Sequence, residues 1–475
     1  MNPHIHSVIA VFNMSILLFA IVIISSYLIL AIISVIALSK HLKENVFINY
    51  EVILSSDLAP HLSLIAPAYN EVNTIEENVR SLLSLNYNNY EVIIVNDGSR
   101  DNSLEVLTGS FDLEQVQFDY HEHIKSKTVR AVFKSKNPAY KKLIVVDKVN
   151  GGKADALNVG INISQYSYIV CIDVDCILDK DALLILAKPY LEKSDAHIIA
   201  TGGSIRIANS CIIKGGRLKE IKAPSRMLPR IQVIEYLRAF LLGRMAWSKL
   251  DGLLIISGAF GMFDKAIAIK VGGYNCKTVG EDMELIVRMR RYMIETKQKY
   301  AVSYIPNPLC WTEAPESFGI LLKQRSRWTR GTMETLWIHR KMLLNPKYKI
   351  LGLVSVPYWL FFEYLAPIIE LGGLIITLFL AVSGILSWKL FFTLFLFVYV
   401  FALTFSIFAL LTEEYTYHQY PKFADFNKLL LAALTEPFYF HPFSVYAALK
   451  GNWEEIRGKK GWGEMTRTGF TKKPA

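Results

Sequence analysis

The fold is decided by two short apolar runs with polar ends, L-S-L-I-A-P-A-Y-N-E (Leu62 to Glu71) and V-I-I-V-N-D-G-S-R-D (Val92 to Asp101). Between them, Thr74–Leu85 carries apolar residues at helical spacing, so the unit is predicted to be β-α-β. A buried parallel strand that ends in a Gly/Asn/Asp turn before a helix is how nucleotide sites are built at strand carboxyl ends. Here Asp97 is expected to accept hydrogen bonds from a base or ribose.

A third apolar strand, Tyr168–Ile172, ends in Asp173-Val174-Asp175. Two carboxylates at this spacing reach one divalent cation if the turn brings both to one side. Mg²⁺ or Mn²⁺ held in this way would keep open coordination positions for a diphosphate. Upstream, Lys153 follows a Gly-Gly turn in N-G-G-K-A-D-A-L-N and is expected to meet phosphate. A D-x-D pair alone is common in loops, but its place after a strand and the upstream lysine favour a metal site.

The composition excludes a purely soluble enzyme. Of 475 residues, 52% are hydrophobic and 20% charged, with a mean hydropathy of +0.28, whereas soluble chains are about a quarter charged. The net charge is +10, but the basic residues cluster near apolar segments and in one insertion, without an aromatic-basic groove, so no nucleic-acid partner is expected. The odd set of five cysteines has no C-x-x-C pair, which argues against a disulfide framework and a zinc knuckle.

The N-terminal region is expected to form a retained membrane helix. Met14–Leu38 contains no charged residue, and at 1.5 Å rise its roughly 25 residues span about 37 Å. No Lys or Arg precedes it and no small-residue cleavage site follows, which disfavours a signal peptide. Because Lys40 and Lys43 follow at once, the positive-inside rule places the N-terminus outside and the next residues in the cytoplasm.

Two further apolar blocks, Leu351–Leu386 and Leu390–Leu411, predict two C-terminal spans. The first contains Glu363 and Glu370, so it would equally fit an interfacial helix at headgroup level. A fourth block, Phe426–Leu449, is broken by polar residues and precedes a basic tail, which favours an interfacial or re-entrant segment. The expected units are an N-terminal transmembrane helix (1–43), a catalytic domain (44–349), two transmembrane or interfacial-plus-transmembrane helices (350–411), and the last segment with its cytoplasmic tail (412–475).

In order and spacing, P-A-Y-N-E, V-N-D-G-S-R-D, N-G-G-K-A-D-A-L-N and D-V-D resemble the motifs of family 2 glycosyltransferases. That resemblance implies an α/β, Rossmann-like GT-A catalytic domain that transfers sugar from a nucleotide sugar with inversion. It also implies a uridine pocket, a diphosphate site and an Mg²⁺ or Mn²⁺ site. The residues implied are Ala66, Tyr69, Glu71 and Asp97 for uridine, Lys153 and Asp173 for the diphosphate, and Asp175 with Asp173 for the metal.

Inverting transfer needs a carboxylate base for the acceptor hydroxyl, and Asp282 in G-E-D-M-E-L is the candidate. It occupies the acidic dyad position of the family, and Glu281 beside it is assigned to the acceptor side. Asp282 precedes a predicted helix, Met283–Tyr292, whose dipole and Arg288 are expected to keep it ionised. By spacing alone, a simple helix-capping role for Asp282 is equally supported.

The stretch Q-R-S-R-W (Gln324 to Trp328) resembles the Q-x-x-R-W signature of processive polysaccharide synthases, such as cellulose, hyaluronan, chitin and poly-N-acetylglucosamine synthases. An arginine can fork onto diphosphate oxygens and an indole can stack on a pyranose, so Gln324 and Arg327 are assigned to the donor and Trp328 to the acceptor. The alternative is that such residues anchor the chain at the interface, as is also expected of Tyr348.

The resemblance continues through F-E-Y-L-A-P-I-I-E-L (Phe362 to Leu371) and G-K-K-G-W-G-E-M (Gly458 to Met465) towards the poly-N-acetylglucosamine-synthase-like branch. The segment Phe111–Lys148 departs from it, apart from its final strand Lys142–Lys148, and is interpreted as a solvated strand-and-loop insertion.

The leading hypothesis is a multi-pass enzyme of the cell membrane with a cytoplasmic catalytic domain, which adds sugar from a UDP-sugar to a β-linked exopolysaccharide. The resemblance favours N-acetylglucosamine, and the expected partners are membrane lipid, a polysaccharide or lipid-linked acceptor, and an accessory export or regulatory subunit. The alternative is a single-transfer glycosyltransferase acting on a lipid or polyprenyl-phosphate acceptor, which Q-x-x-R-W disfavours. An inactive scaffold or transporter is disfavoured because Asp173, Asp175, Asp282 and Trp328 are all retained.

Overall fold

The middle of the chain forms a ten-stranded mixed sheet in the computed structural model, which describes residues 3–45, 54, 56, 58–192 and 195–459. The strand order is β3-β4-β5-β2-β1-β6-β11-β8-β12-β7, and β9 pairs with β10 in a separate ribbon. The strands are β1 Leu62–Ala68, β2 Tyr90–Asn96, β3 Leu113–Val116, β4 Val129–Ser135, β5 Leu143–Lys148, β6 Tyr168–Ile172, β7 Ile177–Leu178, β8 His197–Ile207, β9 Ile212–Lys214, β10 Arg217–Glu220, β11 Phe260–Asp264 and β12 Tyr300–Thr312.

Helices cover the sheet and extend from it at both ends of the chain. The α-helices are α1 Pro3–Asn45, α2 Ile75–Leu83, α3 Ser103–Ser110, α4 Lys153–Ile163, α5 Ala182–Leu191, α6 Met227–Leu237, α7 Met245–Lys249, α8 Lys265–Lys270, α9 Glu281–Glu295, α10 Phe318–Ile338, α11 Ala366–Val382, α12 Trp388–Thr416 and α13 Phe423–Ile456. Arg238–Arg244, Leu351–Ser355 and Trp359–Tyr364 are π-helical, with a single α-turn at Val356–Tyr358. Short 3₁₀ turns lie at Pro138–Tyr140, Arg340–Met342 and Pro346–Tyr348.

The predicted β-α-β unit is confirmed. Strands β1 and β2 are parallel and buried, with Leu64 opposite Val92, and α2 connects them. Strand β6 joins the other side of β1 in parallel, with Leu62 opposite Tyr168. The carboxyl ends of parallel strands meet at one edge, so the loops after β1, β2 and β6 converge there.

The insertion Phe111–Lys148 is more ordered than the sequence indicated. It supplies β3, β4 and β5, and β5 pairs in parallel with β2 inside the sheet. Phe111 and Val132 are buried, whereas Lys125 and Lys136 are exposed. The expectation of a solvated insertion is therefore wrong for its strands, whose apolar residues pack on the core, and holds for exposed residues such as Lys125 and Lys136.

Within the described residues, two helices are long and apolar enough to cross a membrane: residues Asn13–Asn45 of α1, and α12. The segment Leu351–Tyr364 and α11 meet the same test only as a pair, bent by 41°, and would form a third span if the pair crosses as one. Helix α13 runs through the fourth apolar block without a break, although it contains Pro437 and Pro442. A re-entrant turn within that block is therefore wrong, and the basic tail from residue 460 onward lies outside the described residues.

Buried ion pairs join the C-terminal helices to the sheet and to the π-helical segment Arg238–Arg244. Arg206 of β8 pairs with Glu413 of α12 at 2.7 Å, and the side chains are 2% and 1% exposed. Arg238 pairs with Glu436 of α13 at 3.2 Å. Buried charges are strongly destabilising without a partner, so these pairs fix how the helices dock on the sheet.

Candidate active site

Asp97 is buried just beyond the end of β2 and organises the Gly-Gly loop. Its carboxylate accepts hydrogen bonds from the backbone N–H groups of Gly151 (2.9 Å) and Gly152 (2.7 Å) and pairs with Lys148. A Cβ added to Gly98, at φ +66°, would lie 2.9 Å from the Asn150 nitrogen, so this approach requires glycine. Both carboxylate oxygens have protein donors, and a contact of Asp97 with uridine stays a prediction.

Lys148 has a role in this region that the sequence analysis missed. Its ammonium group is fully buried between the carboxylates of Asp97 and Asp155, 2.7 Å from Asp155 Oδ1. Lysine is almost never fully buried without a partner. A lysine at the end of the apolar strand β5 was therefore a signal in the sequence, and its partners are Asp97 in the loop after β2 and Asp155 in the first turn of α4.

The remaining residues assigned to uridine lie at the same sheet edge. Ala66 lies inside β1 with its side chain fully buried, and Tyr69 beyond the strand is 40% exposed. Glu71 accepts a hydrogen bond from Thr74 Oγ1 at 3.0 Å. The backbone N–H of Asn70 donates to Ser99 Oγ at 3.0 Å, which joins the loop after β1 to the loop after β2.

Asp173 and Asp175 follow β6 in a tight turn. Oxygen atoms of both carboxylates and the Cys176 sulfur lie within 4.8 Å of one another. Hydrogen bonding to Cys310 and burial raise the pKa of the Cys176 thiol well above its usual range, and sulfur is a softer donor than Mg²⁺ or Mn²⁺ prefers. The two carboxylates are hard oxygen donors of the kind that Mg²⁺ and Mn²⁺ prefer, and this donor set fits such an ion.

Lys153, the first residue of α4, joins the D-V-D turn to the G-E-D segment. Its ammonium group pairs with Asp173, lies 3.9 Å from Glu281 and donates to the Gly258 carbonyl at 3.3 Å. Burial disfavours the charge of Lys153, but Asp173 and Glu281 outweigh burial and raise its pKa. The cation predicted to meet phosphate therefore lies among the acidic side chains of the candidate site.

Asp282 contacts a different loop through its carboxylate. Oδ2 accepts a hydrogen bond from the Gly258 N–H at 2.9 Å, and Oδ1 accepts one from the Met283 N–H at 2.8 Å. Gly280 holds the N-cap position of α9, and Asp282 satisfies an N–H of the first helical turn, as the helix-capping alternative also expects. Asp282 lies in the first turn, where the helix dipole favours an ionised carboxylate.

Arg288 forms its ion pair with Glu284 and not with Asp282, contrary to expectation. Its guanidinium pairs with Glu284 at 2.7 Å and donates to the carbonyls of Val271 and Gly273. The predicted helix Met283–Tyr292 is longer than expected and begins at Glu281. Residues 282 and 288 are six apart, whereas side chains three or four apart meet on a helix, which explains the error.

Glu281 lies beside the candidate base and is 3% exposed. Burial raises the pKa of Glu281 to about 7, an effect that Lys153 opposes and Asp282 strengthens. The positive charge of Arg327 also acts on this carboxyl group. The G-E-D and Q-R-S-R-W segments are therefore electrostatic neighbours, although the sequence separates them widely.

The Q-R-S-R-W residues lie on α10, which Ser317 caps by accepting a hydrogen bond from Ile320 N–H. Trp328 is 39% exposed, and Gln324 Oε1 is buried with no hydrogen-bond donor from the part of the chain that the structure describes. Tyr348, interpreted as an interfacial anchor, is instead 4% exposed and donates to Glu295 at 2.8 Å, so that expectation is wrong.

All five cysteines are free thiols, as the sequence indicated, and they are Cys171, Cys176, Cys211, Cys276 and Cys310. Three of them are buried, at positions 171, 176 and 310. Cys211 is half-buried and Cys276 is exposed.

Comparison with known proteins identifies the family. The model of "Glycosyl transferase family 2" matches residues 63–210, and that of "Glycosyl transferase family group 2" matches residues 168–405. The chain is 31% identical to a poly-β-1,6-N-acetyl-D-glucosamine synthase of Staphylococcus epidermidis over 65% of this chain and 61% of that protein. The same-named protein of Staphylococcus aureus is 32% identical over 58% of this chain and 55% of its own length.

Solved structures with a similar chain path include a mannosyltransferase from Pyrobaculum calidifontis in complex with GDP-Man and Mn²⁺. Its TM-score is 0.48 at 15% identity, covering 92% of this chain and 100% of that one. Glucosyl-3-phosphoglycerate synthase from Mycobacterium tuberculosis gives a TM-score of 0.36 at 14% identity, covering 60% of this chain and 82% of that one.

The chain spans about three-fifths of the length of the curated Staphylococcus epidermidis relative. The second family model alone covers half of the chain, from β6 with its D-V-D turn into α12. The mixed α/β sheet with its loops at the strand ends is the catalytic fold that the motifs predicted. The protein therefore belongs to glycosyl transferase family 2.

Proposed function

We propose that this protein is a membrane-bound inverting glycosyltransferase that adds N-acetylglucosamine from a UDP-sugar to a growing β-linked polysaccharide. The observation that carries the proposal is the cluster of Asp173, Lys153, Glu281 and Asp282, built from three separate segments. The names of the staphylococcal relatives, matched over 307 and 278 residues, support the sugar and the polymer.

Asp173 and Asp175 would hold Mg²⁺ or Mn²⁺ through their carboxylate oxygens. When bound, the ion would neutralise charge on the diphosphate that leaves with the nucleoside. Lys153, already within this cluster, would contribute a second positive charge on the diphosphate side. Gln324 and Arg327 are proposed to complete the donor site, which the electrostatic coupling of Arg327 to Glu281 supports.

Asp282 is proposed to act as the base. The acceptor hydroxyl would lose its proton to the Asp282 carboxylate as its oxygen bonds to the anomeric carbon and the bond from that carbon to the diphosphate oxygen breaks. Attack from the face opposite the leaving group inverts the anomeric centre, so an α-linked donor gives a β-linked product. The Gly258 and Met283 N–H groups hold the carboxylate in one orientation, which a base requires.

Trp328 is proposed to stack on the terminal sugar of the acceptor. Its partly exposed indole and its place on α10, next to the G-E-D segment, support this role. A polymer acceptor that stays on this surface after each addition would be extended repeatedly. Transfer of a single sugar to a lipid-linked acceptor is the competing function.

The enzyme is proposed to be a multi-pass protein of the cell membrane with its catalytic domain in the cytoplasm. The support is the pair of spanning-length helices and the lysines, Lys40 and Lys43, at the end of α1. A reporter fused after Tyr348 should be cytoplasmic, and one fused before Met14 should be external. A catalytic domain accessible from outside intact cells would overturn this orientation.

The decisive experiment uses the detergent-purified full chain with a panel of UDP-sugars and Mg²⁺ or Mn²⁺. Released UDP and the size of the sugar product are measured, with the Asp282→Asn variant as the control. Long products made only from UDP-N-acetylglucosamine are expected. Single additions to a lipid acceptor would support the competing function, and inactivity until a second membrane protein is added would establish an accessory subunit.

A further inference from the structure

The indole of Trp328 is covered on one side by the side chain of a neighbour on the same helix. The Arg325 guanidinium carbon lies 4.2 Å from the centre of the Trp328 ring. A guanidinium at this distance is attracted by the electron-rich face of the ring. This contact covers one face of the indole and leaves 39% of the residue exposed.

Arg325 is itself fixed by Glu235, which lies on α6, a different helix. Two hydrogen bonds join them: Nη1 to Oε1 at 2.7 Å and Nη2 to Oε2 at 2.6 Å. This fork is bidentate and defines the plane of the guanidinium, not only its position. Arg325 is 9% exposed, so little water competes for these hydrogen bonds.

We infer that Glu235 is a positioning residue for acceptor binding: it holds the Arg325 guanidinium against one face of Trp328 and thereby reserves the opposite face for a sugar ring. The inference rests on the proposed acceptor role of Trp328. Glu235 touches neither the sugar nor the reacting atoms, and it acts only through Arg325.

Two physical effects support the inference. A solvent-exposed tryptophan samples several rotamers, and a guanidinium fixed against one face removes that freedom before the acceptor binds. Glu235 also neutralises the charge of Arg325, which lies in a largely buried position. Without the carboxylate, the guanidinium would turn towards water and the indole would lose its support.

If the Arg325–Glu235 pair only joined α6 to α10, its loss would affect the enzyme differently. Its loss would loosen the whole site, so donor binding, donor hydrolysis by water and polymer extension would decline together. A residue that orients the acceptor surface affects extension and acceptor KM while donor hydrolysis continues. The ratio of extension to hydrolysis therefore separates the two roles.

The test compares Glu235→Gln with the wild type in the full-length purified chain. UDP affinity, UDP release without acceptor, and extension at varied concentrations of an N-acetylglucosamine oligomer are measured. We expect extension at limiting acceptor to fall about tenfold, the scale of one desolvated cation–π contact, with UDP affinity and donor hydrolysis unchanged. Arg325→Lys keeps the charge but loses the planar fork, so it should have the same effect as Glu235→Gln. If Glu235→Gln does not fold, Arg325→Lys is measured in its place.

A double-mutant cycle completes the experiment. In a Trp328→Ala background, Glu235→Gln should have no further effect on extension, because its only route of action has been removed. Glu76→Gln, which breaks an exposed pair with Arg80 at 3.0 Å, is the matched control and should leave the ratio unchanged.

The inference is overturned if Glu235→Gln reduces hydrolysis as much as extension, or reduces extension equally in both backgrounds. If Trp328→Ala is slow in extension while Glu235→Gln and Arg325→Lys are normal, the inference fails and the proposed function stands. If Trp328→Ala itself extends polymer at the normal rate, the acceptor role in the proposed function fails first.

Discussion

Gly280 and Gly331 touch through their backbones: a Cβ atom added to either would lie 2.6 Å from the Cα of the other. The contact joins the segment before Asp282 to helix α10. Glu334, one turn further along α10, accepts hydrogen bonds from Thr278 Oγ1 and from the Val279 N–H, the latter at 2.8 Å. The candidate base therefore takes its position from the helix that carries Trp328.

Gly331→Ala should displace the G-E-D segment, because the atoms that its Cβ would meet are backbone atoms that cannot turn away. A shift of about 1 Å at a reacting group costs about 10²-fold, so kcat should fall on that scale while UDP affinity is kept. Gly319→Ala, in the same helix with open space around the added Cβ, is the control. Equal kcat in the two variants, measured by UDP release, would contradict the coupling.

Asp282→Asn should reduce kcat by about 10²- to 10⁴-fold, since an amide cannot take the acceptor proton. The side-chain oxygen of asparagine can still accept the Gly258 N–H, although the hydrogen bond from the Met283 N–H is lost. UDP-sugar affinity, measured by titration calorimetry, should be nearly unchanged. Loss of binding together with turnover would argue that Asp282 is structural.

Asp175→Asn should reduce transfer by about 10²-fold, the scale of removing one strong electrostatic stabiliser. EDTA should abolish wild-type transfer, and added Mn²⁺ or Mg²⁺ should restore it. Asp112→Asn, an exposed aspartate in the turn before β3, is the control for loss of a carboxylate. Normal transfer by Asp175→Asn in the presence of EDTA would refute the metal assignment.

Glu281 should make stability depend on pH. Burial raises the pKa of Glu281 from 4.5 to about 7, so the folded protein binds this proton more tightly than the unfolded chain. The stability from this group is complete below about pH 4.5, declines between there and pH 7, and is lost above that, with a slope of at most about 1.4 kcal/mol per pH unit.

The measurement is the thermal midpoint of the metal-free protein in detergent at several pH values, compared with Glu281→Gln, which cannot titrate. The wild type should lose stability relative to the variant as pH rises through this window, and the difference should then level off. Parallel profiles for the two proteins would show that Glu281 does not hold its proton in the folded state.

The sequence predicted the strands and turns at one sheet edge because the signals for them are local. Each strand, its turn and its helix are contiguous, so Asp97 and Asp175 could be placed at one sheet edge from spacing alone. The contacts that the sequence did not predict join distant segments: Arg325 and Glu235 are 90 residues apart, and Arg206 and Glu413 are 207 apart. The ion-pair partner of Arg288 was predicted wrongly even within one helix, because that partner depends on the residue at which α9 begins.

The pair of Arg206 and Glu413 has a consequence for how the protein is made. Among the described residues, Glu413 is the carboxylate that pairs with Arg206, and it is synthesised 207 residues later. At about 5–20 residues per second, the ribosome needs on the order of 10–40 s to supply it. A buried charge without its partner destabilises a core by about 3–5 kcal/mol, so β8 cannot settle in that interval. Synthesis of the late helix α12 is thus the step that supplies the partner of Arg206 and lets this part of the fold form.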